Sequence, residues 1–205
     1  VTESTKADTS STANFSPTIE SDPLKNANLQ NQLGAFASSV INGTEGTTTL
    51  ENDVLLLKIN NKGGQIIEAL IKGYQTYDSL PLYMIKDNNA SFNINFWTTD
   101  NRILNTKDLF FEPTFTNNGS SQVLSMKLKV SDNQFLEYRY EMTKDFMVNF
   151  AVRSQGLSNV INSSNPVNLD WSLKGYRHEK SLRTENTMYS YYYYKSNNEV
   201  DYLAL

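Results

Sequence analysis

No cysteine occurs in the 205 residues, and histidine occurs once, as His178. The first absence excludes a disulfide framework and any thiolate metal site. The second excludes a multi-histidine zinc centre and a histidine-cluster pH switch. A cysteine-free domain suits any redox compartment, so location stays open. Long apolar runs are missing too: no window approaches the roughly 18 consecutive apolar residues of a membrane-spanning helix. Clustered basic charge is also missing. With 18 Lys and Arg against 22 Asp and Glu, the net charge is −4. No patch is evident that would release phosphate counterions, so no nucleic-acid partner is expected. Alanine, the best helix former, appears only nine times, which argues against a helical fold.

What is present points to β-structure. Asn, Ser and Thr number 25, 21 and 18; their short polar side chains compete with helix hydrogen bonding. Twelve Tyr and ten Phe suit half-buried pleated surfaces. The length implies one domain with a self-sufficient core. A chain that starts at Val1 without Met reads as a piece of a longer one.

Residues 1–25 carry few large apolar side chains and no periodicity, so they read as a disordered tether. Residues 26–46 form a short helix and lead-in: Leu29, Leu33, Phe36 and Val40 line one helical face, and Gly43 suits the position past its end. From residue 47 to 205 the texture is strands. Residues 54–60 run into Asn61-Lys62-Gly63-Gly64, a turn signal, and 65–72 completes a hairpin. In 91–97, Phe92, Ile94 and Phe96 share a face. Segments 122–130, 135–142 and 146–154 alternate and are joined by short links containing Ser131-Asp132-Asn133 and Thr143-Lys144-Asp145, so they read as a meander. Residues 167–173 alternate as well, which places Val167, Leu169, Trp171 and Leu173 on a face expected to be core. Period two with one polar face marks antiparallel sheet, and many strands with short turns indicate a sandwich.

Catalytic motifs are missing: there is no G-x-S-x-G, phosphate-cradling loop or H-E-x-x-H. Asn61-Lys62-Gly63-Gly64 lies between strands and is a turn. Asp132, Asn133 and Asp145 are hairpin-tip residues whose spacing does not suit a calcium loop. His178 sits in the charged run Tyr176-Arg177-His178-Glu179-Lys180, with Glu185 nearby. A general base is conceivable there, but a surface loop is the simpler reading. The run Tyr191, Tyr192, Tyr193 and Tyr194 either alternates between core and surface or offers aromatic rings to a partner. Together with Arg177, His178 and Glu185 these tyrosines are the candidate partner or ligand surface. No catalytic, cofactor-binding or metal-binding residue is assigned.

Several stretches in order resemble one family. They are Leu50-Glu51-Asn52-Asp53-Val54, then Leu57 through Ile66 with its N-K-G-G turn, and Pro81 through Ile85. Phe92 through Phe96 and Thr106 through Pro113 follow. Tyr138-Arg139-Tyr140, Met147 through Phe150, and His178-Glu179-Lys180 with Thr184-Glu185-Asn186 complete the series. From about residue 33 onward the chain resembles the large periplasmic domain of the YidC-type membrane protein insertase of Gram-negative bacteria. The resemblance implies an antiparallel β-supersandwich of the galactose-mutarotase-like type. It also implies a place at the periplasmic face of the inner membrane, in a protein that inserts and folds inner-membrane proteins, alone or with the Sec translocon. Expected partners are Sec accessory subunits and nascent membrane proteins, with no cofactor and no catalysis. Residues 1–25 would tether the domain to a first membrane helix. The family's domain continues past the end of this chain, so the sandwich is expected to be truncated, with open strand edges that invite self-association. Two other readings follow from fold analogy and composition: a carbohydrate-binding or mutarotase-like sandwich, and a surface adhesin or lipoprotein module.

Overall fold

The computed structural model describes residues 23–188, 191–196 and 199–204. Within them, thirteen strands dominate. Thr47–Glu51 (β1), Leu55–Asn60 (β2), Ile66–Gln75 (β3) and Pro81–Ile85 (β4) form one antiparallel sheet in chain order. Glu112–Asn117 (β7), Gln122–Ser131 (β8), Gln134–Met142 (β9) and Val148–Gln155 (β10) form a second, ordered β10-β9-β8-β7. Ala90–Trp97 (β5), Ile103–Asn105 (β6) and Asn168–Leu173 (β11) form a third, ordered β11-β5-β6. Tyr191–Ser196 (β12) and Glu199–Ala204 (β13) make a separate hairpin. Every ladder is antiparallel, as the alternating pattern requires, and the architecture is an antiparallel β-supersandwich.

The helical N-terminal segment is Pro23–Leu33 (α1) and Ala37–Ile41 (α2), separated by a 3-10 turn at Gly34–Phe36. One continuous helical face would need regular backbone through residue 34. Gly34 instead has φ of +57°, and a Cβ there would lie 3.0 Å from the Arg102 guanidinium and the Asp100 carboxylate. The break turns Phe36 into the core, where it is fully buried and meets Phe96 edge-on with centroids 5.4 Å apart. Residues 1–22 of the expected tether lie outside the described residues. A third helix, Leu182–Met188 (α3), precedes the last hairpin. No helix among the described residues is long and apolar enough to cross a membrane.

The three sheets share one core. Leu50, Leu57 and Ile59 meet Leu124, Met126, Leu128 and Tyr138, with Ile94, Phe96 and Leu104 from the third sheet. The strict alternation of β8 and β9 is what fills it: Leu124, Met126, Leu128, Leu136, Tyr138, Tyr140 and Met142 are all buried.

The residues that carried the family resemblance are largely fold determinants. Asn52 clamps two turns: its side-chain amide donates to the Thr143 and Asp145 carbonyls (2.7 and 2.8 Å). Its Oδ1 accepts from the Val54 and Leu55 N–H groups. The Asn61-Lys62-Gly63-Gly64 turn is stitched to 109–111, because Gly63 N–H donates to the Leu109 carbonyl and Phe111 N–H to that of Asn61. Thr106 is fully buried, and its hydroxyl accepts from Ile94 N–H at 2.8 Å.

Gly64 is constrained twice. Its φ is +62°, and a Cβ there would lie 2.9 Å from the Tyr138 ring. Gly64→Ala is therefore expected to lower stability by about 2 kcal/mol, combining left-handed strain with overpacking. Urea denaturation checks this, since a drop in midpoint with an unchanged slope reports lost native stability.

Asp145 at the β9–β10 turn accepts from the Thr143 hydroxyl (2.7 Å) and the Met147 N–H (3.0 Å). These bonds, the hydroxyl first, hold its carboxyl below the ordinary value of 3.8. A depressed folded pKa stabilises above the unfolded value, and that contribution is lost as pH falls through the folded one. Asp145→Asn should therefore be less stable than the parent at neutral pH. The gap should close below the carboxyl's folded pKa, and a gap independent of pH would contradict this.

Candidate functional site

The strand Asn168–Leu173 corrects the expectation that Trp171 is core. Trp171 is 68% exposed and Leu169 58% exposed, with Val167 beside them on the same open face. Alternation reports only that one face of a strand is apolar. It does not report whether another layer covers that face. β11 pairs β5 on one side and is the end strand of its sheet. β10 is likewise an end strand, and its Phe150 and Val152 are 40% and 43% exposed.

Between these end strands lies an apolar cleft of about 310 Å³. Trp171 and Leu169 of β11, Val148 and Phe150 of β10, and Phe92 of β5 supply its walls, and Ile85 of β4 closes one side. Phe150 ties the sheets together. Its ring stands edge-on to Phe92 and to Tyr138, both at 5.5 Å, and lies 4.9 Å from that of Tyr140. Tyr140, the cleft's one ionisable lining group, donates its hydroxyl to the Gly64 carbonyl at 2.7 Å. Burial, and then neighbouring Tyr138, push its phenol above its ordinary range. It stays neutral at physiological pH, so the cleft carries no charge.

A solvent-exposed Trp171 has a testable cost. Trp171→Ser should change stability by no more than about 0.5 kcal/mol, as exposed positions do. A core tryptophan would cost several times more. Thermal unfolding of the two proteins checks this.

The charged candidates lie elsewhere. Residues 176–185 are pinned along β4: Tyr77 N–H donates to the His178 carbonyl, and Tyr176 hydroxyl donates to that of Lys86 at 2.6 Å. His178 Nε2 lies 3.0 Å from the Tyr83 carbonyl, so the tautomer protonated there donates to it. His178 N–H donates to Glu185 Oε1 at 2.9 Å, and the Arg177 guanidinium lies over the Tyr77 ring. Arg177, His178 and Glu185 are thus near one another, but His178 and Glu185 hold the segment in place through these bonds. Tyr191, Tyr192, Tyr193 and Tyr194 follow one another along β12, paired with Ala204, Leu203, Tyr202 and Asp201. Their side chains lie outside the described residues, so the expected tyrosine surface is placed only by its backbone.

A second recess, between α2 and β7–β8, mixes apolar and charged side chains. There Lys129 reaches Glu112 at 2.7 Å and Asp132 at 3.7 Å. The bond to Glu112 raises the lysine pKa. No group of three or more metal-ligating side chains occurs among the described residues.

The cleft escaped sequence reasoning because its aromatic residues look the same as core. The available signal was density: 146–152 and 167–173 carry Phe146, Met147, Phe150, Val152, Leu169 and Trp171, many large apolar groups for two strands flanking one link.

The fold and this cleft define a class: a β-supersandwich domain whose most distinctive surface is an uncharged apolar recess between strand edges. The model of the YidC periplasmic domain matches residues 47–202. A membrane protein insertase YidC from Porphyromonas gingivalis is 35% identical over 185 residues, covering 89% of this chain and 29% of the relative. One from Parabacteroides distasonis is 33% identical with the same coverage, and one from Cytophaga hutchinsonii is 23% identical. The chain belongs to the YidC periplasmic domain family. It spans less than a third of the length of these relatives. The family's description places the domain in the periplasm. No solved structure matches the chain significantly.

Proposed function

We propose that this chain is a non-catalytic interaction domain of an insertase that inserts and folds inner-membrane proteins, alone or with the Sec translocon. Its partners in that role are Sec accessory subunits and nascent membrane proteins, and residues 1–25 act as its tether. The observation that carries the reading is the exposed, uncharged cleft in a chain of this family. Apolar surface held open to solvent marks a contact site. The cleft offers nothing that transfers a proton at neutral pH, which favours binding over chemistry.

Self-association is the competing use of the same strand edges. A two-fold contact places the same patch on both copies. A carbohydrate-binding role needs a cleft with convergent polar and aromatic groups, and a mutarotase-like role needs an accessible acid and base as well, so both have less support. His178 and Glu185 are instead engaged in holding 176–185 against β4.

The test is affinity co-purification from cells carrying the full-length polypeptide with or without residues 47–204. The domain's removal should lower recovery of Sec accessory subunits and of nascent membrane proteins. Unchanged recovery of both would overturn the proposal.

A further inference from the structure

The helix α1 is poorly supported by its own sequence. Three of its eleven residues are asparagine, at 26, 28 and 31, and their side chains compete with helix hydrogen bonds. It has no acidic residue in its first turn and no basic one in its last to complement the helix dipole. Isolated helices shorter than about 12–15 residues are marginal in water. Packing adds little: no residue of α1 is buried, and Leu33 at its end packs only partly against the core. The contrast with the next residues is sharp, because Phe36 and Ala37 are fully buried. The boundary falls at Gly34, whose φ is +57°.

What holds α1 comes from the sandwich. On the turn between β5 and β6, the buried Thr98 hydroxyl accepts from the Arg102 N–H at 3.0 Å and donates to Asp100 Oδ1 at 2.5 Å. Asp100 in turn pairs with the Arg102 guanidinium. So positioned, the guanidinium donates from Nε to the Asn31 carbonyl at 3.0 Å. A cation on a carbonyl in the last turn of a helix complements the dipole, and here the body of the domain supplies the charge that the helix itself lacks.

Resting on the tether role proposed above, we propose that α1 is a conditional helix. Latched by Arg102, it lies on the sandwich. Released, it melts as far as Gly34 and adds its eleven residues to the tether. At about 1.5 Å per residue in a helix against about 3.3 Å when extended, release lengthens the tether's reach by up to about 20 Å. Phe36 stays seated throughout, so the sandwich is unchanged and the domain gains a second range of reach.

The test is hydrogen exchange on the full-length polypeptide, read by mass spectrometry. In the parent, residues 1–22 should exchange as unprotected peptide, α1 more slowly, and α2 most slowly, together with β8 and β9. Arg102→Ala should speed α1 exchange about tenfold, as for the loss of one charge-assisted hydrogen bond, and leave α2, β8 and β9 unchanged. Gly34→Ala should release α1 too, because its Cβ would lie 3.0 Å from the Arg102 guanidinium and the Asp100 carboxylate.

Protection of α1 equal to that of α2 in the parent overturns the proposal, because the helix is then a permanent part of the fold. So does α1 exchange that Arg102→Ala leaves unchanged. An equal loss of protection in β8 and β9 also overturns it, because Arg102 then supports the whole sandwich. Protected amides across 1–22 refute the tether reading and the gain in reach with it. Unprotected amides there, with α1 unmoved by Arg102→Ala, refute the latch and leave the tether standing.

Discussion

Tyr138→Ala should lower the stability of the chain by about 4 kcal/mol, the range for removing a fully buried aromatic ring. Tyr138 is fully buried at the centre of β9. Its ring lies 4.7 Å from that of Phe111, 5.7 Å from Phe92 and 5.5 Å from Phe150. It therefore joins the second sheet to the third and to the segment that follows the 3-10 turn Thr106–Asp108. No neighbour can collapse into the space without leaving another contact, so the cavity term adds to the transfer term. Domains hold only about 5–15 kcal/mol in total. The variant should melt about 10 °C lower, at roughly 2–4 °C per kcal/mol for this size. A loss under about 1 kcal/mol would mean that the ring is not the junction described.

Phe36→Ala is the second large effect, about 3 kcal/mol. Phe36 is the anchor by which the helical segment reaches the sandwich: fully buried, edge-on to Phe96, with Leu33 and Val40 packed at the rim of the same core. Its loss should both weaken the whole chain and free the helices. Hydrogen exchange should then show α2 amides exchanging well before those of β8 and β9, whereas in the parent they are protected together. Equal protection of α2 in the variant would show that Phe36 is not its anchor.

How much was legible in the sequence depended on the kind of signal. β8 and β9 were readable because Leu124, Met126 and Leu128 in one strand and Leu136, Tyr138, Tyr140 and Met142 in the next alternate with polar residues, and all seven are buried. The N-K-G-G turn was readable because Gly63 and Gly64 occupy positive φ, which the sequence advertises. The helix was readable as a face but not as two pieces. Gly34 breaks it through a close approach of Arg102 and Asp100, which are remote in the chain and which no local pattern contains.

The candidate site was the least legible part. Trp171 and Leu169 have the alternation of core residues, yet the end position of β11 leaves them open. Edge and centre are properties of strand order, which alternation does not encode. The charged cluster went the other way. The run at Arg177 and His178 read as a surface loop with a general base only conceivable, and its hydrogen bonds to the Tyr83 and Glu179 carbonyls and to Glu185 hold such a loop. The mid-sequence motifs that carried the family resemblance are explained by the clamps at Asn52, Asn61 and Thr106. They identify the fold, while the exposed apolar side chains lie on β10 and β11.

The most direct measurement is site-specific photo-crosslinking in cells from the full-length polypeptide. A photoreactive residue is placed at position 171 in the cleft or, as a control, at Thr114 on exposed β7. The expected result is covalent adducts with newly synthesised membrane proteins from position 171 and none from position 114. Adducts of equal yield from both positions, or none from position 171 while membrane proteins are being made, would contradict the cleft as the domain's point of contact.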